Sequence, residues 1–204
     1  MIKCVDVYDH QGRIWIFLEY MEDGNLTEMI LCQHEVYSED FCRWVLYKTA
    51  LGLLHMHNKN ILHRDIKSDN ILCDSKGDIK ISDLGFSAYL TAENSRRTSR
   101  CGTINWISPE IVQRQEYSME VDVWAYGSFA YELATGFPLF NDIKDKQELL
   151  DHIQNKPIPP ISTNRWSPLF QDFINKCLEK DANKRLSIKQ LVFDHDFLKN
   201  IDVN

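Results

Sequence analysis

The stretch HRDIKSDN, residues 63–70, decides how this chain is interpreted. It contains the carboxylates of Asp65 and Asp69, the ammonium group of Lys67 and the amide of Asn70. Short apolar pieces flank it on both sides, so we expect the charged residues to lie in a loop between short strands. A single aspartate in a loop is most often a solvated turn residue. The interpretation therefore depends on what surrounds this stretch.

Three further segments follow it in a fixed order. They are DLG at 83–85, GTINWISPE at 102–110 and VDVWAYGS at 121–128. Each is short enough to occur by chance, whereas the ordered set is not. The combination is therefore a strong signal of one particular architecture.

The first part of the chain has the pattern of a small β structure. Strands are predicted at 2–7 and 14–20, with a turn at 9–12. The polar stretch at 91–100 has no periodicity and is predicted to be a mobile loop.

The remainder is mainly helical in pattern. Ser38 is the predicted N-cap of one helix, and Gly136 is the predicted C-cap of another. Two strands followed mainly by helices predict an α+β chain with an α-rich lobe and a small β attachment. The helices are predicted at about 25–33, 38–58, 120–135, 169–178 and 188–193.

Composition limits the class of protein. The 204 residues carry a formal net charge of −7, with 44% hydrophobic and 26% charged residues. These values exclude a disordered tail, a collagen-like fibre and a disulfide-dense mini-protein, and they argue against general nucleic-acid binding. Six scattered cysteines lack zinc-binding spacing and predict reduced thiols. The N-terminus has no signal-peptide pattern and no apolar run is long enough to span a membrane, so we expect a cytoplasmic protein.

The combined motifs resemble those of the eukaryotic protein kinases. The resemblance implies transfer of the ATP γ-phosphoryl group to a protein hydroxyl. Asp65 corresponds to the aspartate that orients or deprotonates the hydroxyl, and Lys67 to the charge beside the transferred group. Asn70 and Asp83 correspond to the Mg²⁺ ligands. Leu84 replaces the more common phenylalanine at a position that packs and does not touch the metal.

Further residues correspond to structural positions of the family. Thr103 matches the residue that contacts both Asp65 and Lys67 in serine/threonine kinases. Glu110 and Arg185 match the ion pair that ties the activation segment to the helical lobe.

Two groups near the catalytic stretch are implied in the same way. Asp122 matches a buried carboxylate that accepts hydrogen bonds from the backbone near His63 and Arg64. Arg64 also matches the arginine that pairs with a phosphate on the activation loop, for which Thr98 and Ser99 are candidates. The alternative is that the arginines around this loop are only a solvated face.

The nucleotide site is implied at the second predicted strand. Leu18 corresponds to the gatekeeper, the backbone of Glu19 and Met21 to the hinge that binds adenine, and Leu72 to the floor beneath it. The sequence IWIFLEYM at 14–21 is equally consistent with a core strand, and both interpretations are compatible.

The protein substrate is implied to carry basic residues near the acceptor serine or threonine. Asp69 and Glu132 match acidic positions that meet such residues, and the net charge agrees weakly. The alternative for Glu132 is a partner within its own lobe. Upstream regulators are possible partners as well.

Within the family, the chain most resembles the PAK group of Ste-like kinases, through HRDIKSDNIL at 63–72, the length of the segment 83–110 and the tail at 173–191. We therefore expect a protein-kinase-like fold, mainly the helical C-terminal lobe with the last two strands and the hinge of the small lobe. The expected division is a partial kinase domain at 1–198, with the end of the small lobe at 1–18, the hinge at 19–24 and the large lobe at 25–198, followed by a tail at 199–204.

The family's Gly-rich loop and its ATP-binding lysine have no counterpart in the 204 residues. The isolated chain is therefore expected to be inactive or weakly active. Two alternatives remain open at this point. One is a non-catalytic binding module derived from a kinase, and the other is an incomplete gene product whose full form has the small lobe.

Overall fold

A computed structural model describes residues 1–32, 37–199 and 201. The strands within them are β1 (Cys4–His10), β2 (Arg13–Leu18), β3 (Gly24–Asn25), β4 (Ile61–Leu62), β5 (Ile71–Cys73), β6 (Ile79–Ile81) and β7 (Ala88–Tyr89). The helices are α1 (Leu26–Cys32), α2 (Glu39–His57), α3 (Pro109–Val112), α4 (Glu120–Thr135), α5 (Lys146–Asn155), α6 (Pro168–Cys177) and α7 (Ile188–Phe193). The expected α+β arrangement, a helical lobe with a small β part, is confirmed.

Strands β1 and β2 form an antiparallel hairpin whose residues are all exposed. Its turn is Gln11–Gly12, with φ of 52° and 71°. Two consecutive positive φ values characterise the two-residue turns that match the twist of a hairpin. The prediction of a turn at 9–12 was too wide, because Asp9 and His10 still pair with Ile14 and Arg13.

Helix α2 begins where the sequence indicated. The side chain of Ser38 accepts a hydrogen bond from the Phe41 N–H at 3.2 Å, as expected of an N-cap. Its apolar face, which includes the fully buried Leu46 and Leu53, packs on α4 and α7. The end of the preceding helix, predicted near residue 33, lies outside the described residues.

Helix α4 is the centre of the lobe. Trp124, Tyr126 and Phe129 are fully buried on it, and the helix is buried on nearly all sides. Gly136, with φ of 80°, is its C-cap as predicted. The polar Asp122 lies fully buried in this apolar helix, and its partners therefore decide whether the burial is tolerable.

The short sheets position the loops of interest. Strands β3, β5 and β6 form one antiparallel sheet, and β4 pairs with β7 in another. The stretch 63–70 connects β4 to β5, and Asp83 follows β6. Because β5 and β6 pair, the two loops leave the sheet side by side.

Helix α5 was not predicted from the sequence. Asp145 caps it by accepting a hydrogen bond from the Glu148 N–H, and Leu149 and Ile153 are buried on one face. The stretch 91–100 contains no helix or strand, as predicted. Arg97, within this stretch, forms an isolated antiparallel β-bridge with Tyr117. None of the described helices is long and apolar enough to cross a membrane.

Candidate active site

Asp65 is the centre of a set of polar contacts and is only 4% exposed. Its Oδ1 accepts hydrogen bonds from the backbone N–H and the hydroxyl of Thr103, at 2.9 and 2.8 Å. The amide nitrogen of Asn70 donates to Asp65 Oδ2 at 3.2 Å and to its carbonyl oxygen at 2.8 Å. Lys67 Nζ lies 3.7 Å from Oδ2. The structure thus brings together four residues that the sequence singled out.

Asp122 holds the backbone of the catalytic stretch in place. Its Oδ2 accepts the N–H of His63 at 2.9 Å, and its Oδ1 accepts the N–H of Arg64 at 2.7 Å. His57 Nε2 lies 2.9 Å from Oδ2. Burial by itself raises the pKa of Asp122, but the hydrogen bonds from His57 and His63, together with the electrostatic interaction with these two residues, outweigh it, so the pKa is lowered overall. The carboxylate therefore stays charged although it is buried.

Asn70 and Asp83 lie at the ends of the paired strands β5 and β6. The N–H of Ser82 donates to the Asn70 carbonyl at 2.8 Å, and His63 Nε2 lies 2.9 Å from the Ser82 carbonyl. The amide nitrogen of Asn70 is used by Asp65, which leaves its side-chain oxygen as an acceptor. Asp83 is exposed, and among the described residues its Oδ1 accepts a hydrogen bond only from the N–H of Gly85. One carboxylate and one amide oxygen suit Mg²⁺, so the residues fit this ion.

Arg64 lies against the predicted phosphorylation segment. Its Nη1 donates to the Ser99 hydroxyl at 2.7 Å, and its Nε donates to the Phe86 carbonyl at 2.6 Å. Within the described residues, Thr98 makes no hydrogen bond to Arg64. A Cβ on Gly102 would lie 2.7 Å from the Arg64 carbonyl oxygen, and Gly102 has φ of 99°. Only glycine fits this crossing of the two loops.

Glu110 and Arg185 form the predicted ion pair, and both are buried. The contact is bidentate, with Nη1 to Oε1 at 2.7 Å and Nη2 to Oε2 at 3.1 Å. Arg185 also donates to the carbonyl oxygens of Glu179 and Glu120, and its guanidinium lies 5.2 Å from the Trp124 ring centre. These bonds use four of the five guanidinium N–H groups, which makes the burial of this charge tolerable.

Glu132 and Asp69 occupy different environments. Asp69 is exposed, whereas Glu132 is 4% exposed and its Oε1 accepts a hydrogen bond from Ser68 at 2.7 Å. Burial raises the pKa of Glu132 to about 7, with a contribution from the charge of Asp69. The indole of Trp106 lies beside the carboxylate without a hydrogen bond of normal geometry. The structure therefore gives Glu132 a partner in its own lobe while Oε2 accepts no hydrogen bond within the described residues.

Comparison with known protein families identifies the family to which this chain belongs. A family model described as "Protein kinase domain" matches residues 1–198. The chain belongs to the protein kinase family. Among similar curated proteins, "Serine/threonine-protein kinase pakB" of Dictyostelium discoideum is 37% identical over 98% of this chain and 23% of its own length. "Serine/threonine-protein kinase STE20" of Yarrowia lipolytica is 35% identical over 99% of this chain and 18% of its own length.

A third relative, "Serine/threonine-protein kinase MST20" of Pyricularia oryzae, is 36% identical over 97% of this chain and 21% of its own length. The resemblance to PAK and Ste-like kinases is therefore confirmed. The chain spans about a fifth of the length of these relatives.

The kinase hinge predicted between β2 and β3 is tied to the large lobe. Lys80 of β6 donates to Glu19 Oε2 at 2.7 Å, and this contact lowers the pKa of Glu19. Met21 is 6% exposed and its carbonyl accepts the N–H of Gly24. Leu72 is half-buried on β5, and Leu18 is 49% exposed at the end of β2. Their roles in nucleotide binding stay predictions.

Two kinase features escaped the sequence analysis. Tyr117 places its hydroxyl 3.1 Å from Arg64 Nη1. The Ser68 hydroxyl, already bonded to Glu132, lies 2.6 Å from the Thr27 hydroxyl. Tyr117 lies outside the quoted motifs, and Ser68 lies in the stretch 63–70 at a position to which no role was assigned; the contacts join residues distant in sequence. No local pattern would have identified them.

Proposed function

We propose that this chain is the large lobe of a serine/threonine protein kinase of the PAK and Ste20 type, which transfers the γ-phosphoryl group of ATP to protein hydroxyls. The observation that supports this most directly is the arrangement around Asp65. Its Oδ1 is occupied by Thr103, while Asn70 and Lys67 flank Oδ2. Four groups converge on one carboxylate, which is more than a solvated turn requires.

The division between the two oxygens gives Asp65 its role. Thr103 fixes the rotation of the carboxylate through Oδ1, and Oδ2 is left to orient a substrate hydroxyl and accept its proton. Lys67, 3.7 Å from Oδ2, places a compact positive charge where negative charge develops on the transferred group.

Asn70 and Asp83 would hold Mg²⁺ through their side-chain oxygens. When bound, Mg²⁺ neutralises charge on the phosphates and on the leaving group. The proposed adenine contacts are the backbone of Glu19 and Met21, between Leu18 and Leu72. Asp122 contributes by holding the loop that carries Asp65 through its bond to the His63 N–H.

We further propose that substrates carry arginine or lysine upstream of the acceptor. Asp69 offers an exposed carboxylate, and Glu132 offers an oxygen that accepts no hydrogen bond within the described residues. A guanidinium close to Glu132 would favour its charged form and lower its raised pKa. Recognition by Glu132 should therefore weaken below pH 7, where the carboxyl is protonated.

Regulation and location belong to the same proposal. Phosphorylation of Ser99, with Thr98 as the second candidate, would supply an anionic partner for Arg64, which already donates to the Ser99 hydroxyl. Upstream kinases would then be partners. Cytoplasmic location remains a prediction.

The test is a phosphoryl-transfer assay with Mg²⁺ and ATP. Because the 204 residues contain no G-x-G-x-x-G run, the assay is performed on this chain and on a fusion that supplies a kinase small lobe. Peptides with serine, threonine or tyrosine as acceptor, preceded by arginine or by glutamate, are the substrates. We expect the fusion to phosphorylate serine or threonine after arginine, and the chain alone to be weak or inactive.

The opposite results are equally informative. A fusion that binds ATP but transfers no phosphate to any peptide would favour the binding-module alternative. Preference for glutamate before the acceptor would reject the role of Asp69 and Glu132, and phosphorylation of tyrosine alone would reject the serine/threonine assignment.

A further inference from the structure

Tyr117 is a buried residue that the proposed mechanism does not use. It is 1% exposed and lies between the start of α4 and residues 97–101 of the proposed activation segment, residues 83–110. Its hydroxyl is within 3.1 Å of Arg64 Nη1 and of the Ser99 hydroxyl. One phenol thus joins the catalytic stretch to the candidate phosphorylation site.

Within the described residues, the Tyr117 hydroxyl has four hydrogen-bond contacts. It donates to the Ser99 carbonyl oxygen at 2.8 Å and accepts from Arg64 Nη1. A phenol has one hydrogen and two acceptor positions, so the Ser99 hydroxyl and the Cys101 thiol, at 3.1 and 3.8 Å, share the second acceptor position. Burial raises the pKa of Tyr117, which keeps the proton on the oxygen.

Tyr117 is also fixed through its backbone. It exchanges two hydrogen bonds with Arg97, at 2.8 and 2.9 Å. Five residues later, Asp122 accepts the N–H of Arg64. Asp122 thus binds the backbone of Arg64, and Tyr117 binds its side chain. Arg64 has φ of 69°, a left-handed conformation that a non-glycine residue keeps only when its surroundings hold it.

We infer that Tyr117 is a positioning residue, which holds the Arg64 guanidinium and the Ser99 backbone together so that the activation segment is positioned before Ser99 carries a phosphate. This inference rests on the proposed function for the meaning of that segment. Arg64 Nη2 donates no hydrogen bond within the described residues, so two N–H groups stay open to a phosphate. Tyr117 would therefore orient Arg64 while leaving these two N–H groups free to bind the phosphate.

The experiment compares Tyr117→Phe with Tyr126→Phe in this chain. Both changes remove one buried hydroxyl and keep the ring, but the Tyr126 hydroxyl donates to the Leu46 carbonyl at 2.7 Å, in the core. Amide hydrogen exchange is measured across the chain, together with the NMR signal of the Arg64 Nε–H.

In Tyr117→Phe, which removes the hydroxyl bonded to Arg64 and Ser99, we expect exchange at residues 97–101 to rise about three- to tenfold. The Arg64 signal should shift in the same variant. Tyr126→Phe should leave both readouts unchanged. Equal exchange at 97–101 in wild type and Tyr117→Phe, or an equal rise in both variants, would overturn the inference.

The proposed function is measured separately, in the small-lobe fusion. If the wild type transfers phosphate, Tyr117→Phe should lower kcat/KM more before Ser99 is phosphorylated than after. An unchanged kcat/KM in the unphosphorylated form would overturn the positioning role. A wild type without phosphoryl transfer rejects the proposed function instead, and the exchange result then decides on Tyr117 alone.

Discussion

The stretch 63–70 and the β1–β2 hairpin differ in which kind of side chain they bury. Around the catalytic stretch, the polar Asp65 and Asp122 are 4% and 0% exposed and are surrounded by donors. In the hairpin, strands of mainly apolar residues are exposed at every position, with Ile14 72% and Ile16 61% exposed. The polar region is therefore the buried one, and the apolar region is the exposed one.

The difference shows where substitutions matter in this chain. A buried charge that loses its partner keeps its full desolvation penalty. Substitutions near the stretch 63–70 should therefore lower the free energy of unfolding strongly. Shortening an exposed apolar side chain changes the free energy of unfolding little, because that side chain is in contact with water in the folded state as well. The exposed apolar side chains of the hairpin lie next to one another on two paired strands. A continuous apolar surface of this kind favours association.

The largest expected effect is on catalysis. Asp65→Asn removes the proposed proton acceptor and should lower kcat of the small-lobe fusion about 100- to 10,000-fold. Binding of ATP should change little, because the proposed adenine contacts lie elsewhere. The measurement is steady-state kinetics beside calorimetric ATP binding.

The matched control for Asp65→Asn is Asp9→Asn, the same change at an exposed position of the hairpin. It should keep wild-type kcat. A near-normal kcat in Asp65→Asn would reject the base assignment.

The second effect is on stability, at the buried ion pair of Glu110 and Arg185. Arg185→Met leaves Glu110 buried and unpaired, and should reduce the free energy of unfolding by about 3–5 kcal/mol. Urea denaturation measures it. Lys184→Met, at a neighbouring side chain that is 75% exposed, should change it by less than about 0.5 kcal/mol. Equal losses in the two variants would contradict the contrast.

The third effect is a pH dependence at Glu132. Its pKa of about 7 in the folded chain exceeds the ordinary 4.5, so the folded state holds the proton more tightly than the unfolded state. The free energy of unfolding should therefore fall as pH rises from about 4.5 to 7, by about 3 kcal/mol, and be constant above that.

Glu132→Gln cannot ionise, and it should remove this slope and be more stable than wild type above pH 7. Glu116→Gln, at an exposed carboxylate, is the control and should keep the wild-type slope. Parallel curves for wild type and Glu132→Gln would show that the burial of Glu132 has no energetic consequence.

The smallest effect belongs to the hairpin. Ile14→Ala should change the free energy of unfolding by less than about 0.5 kcal/mol, whereas Ile71→Ala, at a fully buried position of β5, should cost about 2–5 kcal/mol. Thermal or urea denaturation separates the two. A loss of several kcal/mol in Ile14→Ala would mean that this face is covered in solution.

The sequence predicted best what local physics decides. The Ser38 cap and the Gly136 cap depend on one residue and its immediate neighbours, and both were found. The hairpin turn was predicted too wide because positive φ at Gln11 is not apparent from residue type. Helix α5 was missed because only Leu149, Leu150 and Ile153 mark its buried face.

The site was predicted through its motifs rather than through its contacts. Asp65, Asn70 and Thr103 carry recognisable letters, and the structure brings them together. Tyr117 and Ser68 carry none, since their importance arises only from which distant residues they meet. Burial of Glu132 was likewise beyond the sequence, because a carboxylate in an apolar helix has a partner only once another element packs against it.

The position of Asp122 has a consequence for the order of folding. It lies 59 residues after His63 and 58 after Arg64, the residues whose N–H groups it accepts. Contacts of such separation form late, since a long loop must close first. A nascent chain that ends before residue 122 already contains every residue of the catalytic stretch, yet no acceptor for these two amides. The reactive geometry is thus acquired only when the central helix docks.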